Sequence, residues 1–171
     1  MLTLPWIEIL TRHLTYVAPE KPDDWPRVAI LAIEHSESYE DGVGVGIVRA
    51  LAARKLTNGH LCLIEAGQAP ETYSNVLRRF DPTHILLIDS VGMGKPPGAA
   101  VWLAAKELDS AENTPHASRL VEFVRYLNAE FNCDVMVLGI QPLPDTLDAR
   151  TATAAQEAVQ QVSEALYAAL N

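Results

Sequence analysis

Apolar residues along the chain gather in short compact runs, and between those runs they recur at helical spacing. RVAILAI (27–33), HLCLIEA (60–66), HILLID (84–89), AAVWLA (99–104) and DVMVLGI (134–140) are short enough to be strands buried in a sheet. Between them the period changes. Val43, Ile47, Val48 and Leu51 predict a helix starting near Gly42, and Tyr73, Val76, Leu77 and Phe80 predict the inner face of a short one. Leu120, Phe123, Val124, Leu127 and Phe131 mark a later helix, and Val159, Val162, Leu166 and Leu170 line the last. Before the first strand, Leu4, Ile7, Leu10 and Leu14 form one further helical stripe, which Pro19, Pro22 and Pro26 then interrupt. The pattern divides the chain into an N-terminal helix with a Pro-rich linker (1–26) and a single α/β domain (27–171). Strands alternating with helices predict a three-layer α/β/α sandwich around a central sheet of about five strands.

Composition narrows the partners. A chain of 171 residues is one domain of ordinary size, so one site on one core is expected. Thirteen Lys and Arg against twenty-two Asp and Glu give a net charge of −9, which opposes attraction to phosphate backbones and anionic lipid. No nucleic-acid partner is expected. No apolar run approaches the ~18 residues of a bilayer span, so membrane insertion is not expected either. The opening MLTLPWIEILTRHL lacks the basic head, long apolar middle and small-residue cleavage site of a secretory signal, which points to the cytoplasm. Cys62 and Cys133 are far apart inside apolar runs and read as buried free thiols.

In an open α/β sheet, ligands gather beyond the carboxyl ends of the strands. Three loops qualify. The first strand leads into EHSESYEDGVG, the third ends in Asp89 followed by SVGMGKPPG, and the fourth leads into ELDSAENTPHASRL. Asp41, directly before Gly42, is by itself a good helix N-cap. Asp89 closes an apolar run, where a buried carboxylate needs partners, and a loop hydrogen bond would also account for it. His116 follows Pro115 and opens a predicted helix. Two carboxylates and an imidazole at one point would suit a borderline divalent ion such as nickel or zinc. Glu34, His35, Glu37 and Glu40 read as a solvated loop, and Gly42, Gly44 and Gly46 as turn and close-packing residues. Those glycines match neither phosphate-loop register; GxSxG, HExxH and zinc-ribbon cysteine spacing are absent.

From residue 27 to 170 the chain resembles the nickel-iron hydrogenase maturation endopeptidases. The resemblance rests on an ordered set of short features: a first apolar strand, Glu40-Asp41-Gly42-Val43-Gly44, EAGQAPE (65–71), ILLIDSVGMGKPPG (85–98), His116 before a helix, and VLGIQP (137–142). It implies an α/β/α fold and removal of a short C-terminal extension from the precursor of a hydrogenase large subunit. It also implies that Asp41, Asp89 and His116 jointly recognise nickel, which the precursor carries near its scissile bond, so that no resident metal is needed. One departure is local: family members usually end the first strand with Gly-Asn, whereas Glu34-His35 stand here, after about 26 additional residues at the N-terminus.

The expected activity is therefore a nickel-gated endopeptidase, with no side chain in the sequence identified as the attacking nucleophile. The alternative is a noncatalytic checkpoint or assembly factor that binds the same precursor, which the Glu34-His35 departure favours. A small-molecule hydrolase using the acidic cleft is a third reading, because fold alone does not set chemistry.

Overall fold

Every residue of β1 (Val28–Ile33) is buried, which requires cover on both faces of the sheet. The computed structural model describes residues 5–15, 25–33, 42–54, 60–104, 107–108, 115–146 and 148–171, and the side chains of 15 and 115–117 fall outside that description. Five strands form one sheet in the order β2 (Leu61–Gly67), β1, β3 (His84–Ser90), β5 (Asp134–Ile140), β4 (Ala100–Leu103). β2, β1, β3 and β5 pair in parallel, and β4 lies antiparallel at the edge against β5. The five-stranded α/β sandwich expected from the apolar runs is present, with strand limits within a residue or so of the predicted ones.

Alternation along the strands sorts the core into two layers. Val28, Ile30, Ala32, Leu86, Ile88, Met136 and Leu138 face one side, where α2 (Gly42–Ala53) and α5 (Ala149–Leu170) supply Ile47, Leu51, Val162 and Leu166. Ala29, Leu31, Ile85, Leu87 and Val137 face the other, covered by Leu77 of α3 (Ser74–Phe80) and by Leu120, Val124 and Leu127 of α4 (Pro115–Glu130). Among the described residues, no helix is long and apolar enough to cross a membrane.

The N-terminal stripe is helical as predicted. α1 (Pro5–Thr15) packs on α5 and β4, burying Trp6, Leu10 and Leu14 in the same cluster as α2. Near its end, His13 stacks on Trp102 of β4 with ring centroids 5.5 Å apart. Leu4, Pro19 and Pro22 lie outside the described residues. The start of α5 is set by Asp148, whose carboxylate accepts the Thr151 N–H at 2.7 Å, an N-cap that holds this carboxyl below its usual range.

Three local readings change. Val76, expected on the inner face of its helix, is 42% exposed; Ser74 and Leu77 are the buried positions of that seven-residue element. Gly42, Gly44 and Gly46 all lie within α2 rather than in a turn, and of these Gly46 makes the close approach. A Cβ on Gly46 would stand 2.8 Å from Val159 Cγ2 of α5. The fourth strand runs opposite to β5, with Ala100 beside Ile140 and Leu103 beside Val137, so its carboxyl end points away from the edge where β1 and β3 finish. A four-residue apolar run carries no directional signal.

Gly46→Ala should destabilise the fold by about 1–3 kcal/mol, since overpacking at the α2–α5 crossing outweighs the better helix propensity of Ala. Chemical denaturation checks it, and Val159→Ala in the same chain should recover most of the loss.

A second expectation concerns acid. His84, at the amino end of β3, is 4% exposed; its Nδ1 lies 2.8 Å from Thr83 Oγ1 and its Nε2 3.7 Å from the Asp134 carboxylate. Burial lowers its pKa; Asp134 opposes that shift, His13 adds to it, and a hydrogen bond to the His13 backbone opposes it. The unfolded chain therefore takes up a proton at higher pH than the folded one. Stability from this residue is full above the unfolded histidine value, about 6.5, and is lost as pH falls below it toward the lowered folded value. Thermal melts from pH 7.5 to 5 should show a falling Tm, and His84→Gln should flatten that slope.

Candidate active site at the carboxyl edge

Asp89 is the next-to-last residue of β3, which pairs on one side with β1 and on the other with β5, where Gly139 is its register partner. Its 2% exposure makes it a buried carboxylate, and its Oδ1 accepts the Ser90 N–H at 2.7 Å. That bond fixes the carboxylate close to the strand axis and offsets part of the cost of burial. By strand alternation Asp89 shares the face of Ile85 and Leu87, the face covered by α3 and α4.

α4 feeds β5 through residues 131–133, at the amino edge of the sheet, so its first turn stands at the carboxyl edge. His116 is the second residue of that helix. Its position at the carboxyl edge thus follows from the connection of α4 to β5 and not, as first expected, from the direction of β4. The His116 side chain lies outside the described residues.

On the other face, α2 begins at Gly42, and a Cβ on Gly44 would stand 3.6 Å from Ala32 Cβ and 3.6 Å from the Ile88 carbonyl oxygen. The first turn of α2 therefore rests on the ends of β1 and β3, one residue short of Asp89. Asp41, immediately before that turn, lies outside the described residues, as do Glu34, His35, Glu37 and Glu40. Among the described residues, no group of three His, Cys, Asp or Glu side chains is placed to hold a metal ion.

A cavity of about 250 Å3 opens beside this edge, with Ile33, Leu120 and Phe123 as apolar wall and Gln68, Glu71 and Arg119 as polar lining. The EAGQAPE segment builds part of it. β2 ends at Gly67 in the left-handed region (φ +61°), the chain turns, and Pro70–Tyr73 forms a short 3-10 helix before α3. The Ser74 hydroxyl donates to the Glu71 carbonyl at 2.6 Å and lies 2.9 Å from the Tyr126 hydroxyl, tying that turn to α4. Arg119 and Glu71 carry no local signature in the sequence; they become neighbours only when α4 docks beside the end of β2.

A larger cavity, about 530 Å3, is at the opposite edge, lined by Arg12, His13, His84, Asn132, Cys133 and Asp134 among others. Burial first, then Asp134 and Asp81, pushes the Cys133 thiol up to about 11, and burial also raises Cys62. Both remain thiols near neutral pH and neither is an activated nucleophile. Both cysteines are free, as their apolar surroundings predict, but they are half-buried rather than buried: Cys62 is in the edge strand β2 and Cys133 directly before β5.

The match to known proteins spans most of this framework. Residues 45–171 fit the family model HycI, hydrogenase maturation protease. A Methanocaldococcus jannaschii protein named as a candidate hydrogenase maturation protease is 30% identical over 129 residues, covering 72% of this chain and 76% of its own. The hydrogenase 3 maturation protease of Escherichia coli is 28% identical over 114 residues, covering 66% and 71%. A crystal structure of a hydrogenase 3 maturation protease superposes with a TM-score of 0.63 at 25% identity, covering 81% of this chain and 88% of that one. A [NiFe] hydrogenase maturation protease from Thermococcus kodakarensis gives 0.64 at 18% identity, covering 92% and 98%, a likeness of fold. Since the family model takes in α3, α4, α5, β2 to β5 and α2 from Val45 onward, including the strand that carries Asp89, the chain belongs to the hydrogenase maturation protease family, a family of peptidases.

Proposed function

We propose that the chain is a cytoplasmic endopeptidase that recognises nickel in the precursor of a nickel-iron hydrogenase large subunit and removes its C-terminal extension. The observation that carries this reading is the buried Asp89 carboxylate at the carboxyl end of a central strand, in a member of this protease family. The first turn of α2 comes to the same edge from one layer and the first turn of α4 from the other. Asp41 and His116, at or next to those turns, would join Asp89 over the rim of the sheet.

In this reading nickel is cargo of the precursor. Carboxylate oxygens and an imidazole nitrogen complete its coordination, and the metal-bearing segment is thereby fixed relative to the cleft. Asp89 contributes a charge held in place by the Ser90 amide, so little reorganisation is needed when the ion arrives. The cavity lined by Ile33, Glu71 and Arg119 lies beside that point and offers room for chain flanking the scissile bond. With nickel absent, carboxylates at the rim have nothing to coordinate and repel an acidic tail.

Purified protein mixed with nickel-loaded precursor should release the tail, while the same precursor without nickel should stay intact, as followed by intact-mass spectrometry. Equal cleavage of both forms would refute nickel gating. Tight binding of the nickel form with the tail retained would instead make the protein a checkpoint factor.

Asp89 separates charge from structure. Asp89→Asn keeps an oxygen for the Ser90 N–H and should unfold within about 1 kcal/mol of the parent, whereas Asp89→Ala leaves that amide unpaired at a cost of about 1–3 kcal/mol. Both variants should lose affinity for nickel-loaded precursor. An Asn variant that binds as tightly as the parent would remove the Asp89 charge from the recognition site.

A further inference from the structure

The segment that follows Asp89 is shaped by one side chain from another strand. Gln141, the residue after β5, accepts the Met93 N–H at 2.8 Å and the Lys95 N–H at 3.1 Å on the same oxygen, Oε1. Gly94 between them has φ +64°, and a Cβ there would meet nothing within 4 Å. Two amides flanking a left-handed glycine form a small concave nest that favours a negative or partly negative oxygen, and the Gln141 amide oxygen fills it.

The backbone of the same residue fastens the far end of the loop. Gln141 N–H donates to the Ala99 carbonyl at 2.8 Å, and its carbonyl accepts the Gly98 N–H at 2.9 Å. Val91 N–H is held by the Ile140 carbonyl at 2.9 Å. The Met93 sulfur lies over β5, 3.2 Å from where a Gly139 Cβ would be. Residues 91–99 are thus wrapped around a single glutamine, with the exposed Lys95 at the outside of the turn. This loop begins two residues after Asp89, on the side of the carboxyl edge away from the cavity lined by Arg119.

We infer that Gln141 is a positioning residue: by filling the Met93–Lys95 nest it holds the loop after β3 as a rigid lip beside Asp89, against which the precursor's metal-bearing segment seats. The inference rests on the proposed protease reading. Gln141 touches neither the metal nor the scissile bond. It acts through the loop, so its loss weakens seating of the precursor and leaves the bond-breaking groups in place. The nest also predicts which replacement works. Glu at this position retains an oxygen of the same reach, whereas Leu fills similar space without an acceptor.

The test compares Gln141→Leu and Gln141→Glu on nickel-loaded precursor, with amide hydrogen exchange of the enzyme alone. In the Leu variant, which loses both hydrogen bonds to Oε1, KM should rise about tenfold, with kcat within about twofold of the parent. Glu should restore KM. A purely structural role would lower the active fraction, hence apparent kcat, at constant KM, and that result, or a Glu variant as impaired as Leu, would overturn the inference. Exchange at Met93 and Lys95 should accelerate at least about tenfold in the Leu variant and return in the Glu variant. Unchanged exchange would overturn the nest itself. If the parent protein cleaves no precursor, the proposed function has failed, and the exchange result still decides whether Gln141 orders the loop.

Discussion

The parallel pairing of β3 with β1 on one side and β5 on the other is the constraint from which the rest follows. A strand between two parallel partners has no exposed edge and, with helices on both faces, no exposed face. Its one opening to solvent is at its ends. Parallel strands also finish together, so the carboxyl ends of β1, β3 and β5 share a rim to which helices on both layers return. A carboxylate on the penultimate residue of such a strand is buried by the sheet yet adjacent to every loop at that rim. Asp89 acquires this setting from topology before any specific contact is made.

Much of this was legible in the sequence because burial on both faces leaves an unmistakable pattern. VAILAI, HILLID and DVMVLGI contain almost no outward-facing polar residue, so their strands were identifiable to within a residue. Asp89 stood out for the same reason, as a charge ending an apolar run. What was not legible depends on tertiary placement. The direction of β4 is decided by pairing with β5, and four apolar residues look the same in either direction. Val76 has helical spacing yet faces solvent, because a helix of seven residues has room to bury only one turn's inner face. Gln141 belonged to the quoted VLGIQP run, but its role consists of bonds to main-chain amides some 46–48 positions earlier, which no side-chain pattern announces.

The site is divided between elements in a way that matters for chemistry. Asp89 is set by the sheet, His116 is in the first turn of α4, and Asp41 immediately precedes α2, so the proposed ligands come from the middle layer and both outer ones. Movement of either helix start would change the coordination geometry without disturbing the strand. Gly46, where α2 crosses α5 with no space for a Cβ against Val159, limits how α2 can shift. The close crossing at the back of the layer therefore restrains the helix whose front turn rests on Ile88.

α1 and α5, the earliest and latest of the described helices, pack on each other, and the core they share includes Trp6, Leu10 and Leu14. During synthesis the apolar stripe of α1 is made long before its partner leaves the ribosome, and β4, which joins the sheet only through β5, becomes a sheet edge only after that late strand is made. Closure of this layer joins residues separated by nearly the full sequence, a contact of high order that forms late and slowly. A nascent chain would thus carry its tryptophan-leucine stripe uncovered through most of translation, a surface open to non-native association until the last helix docks.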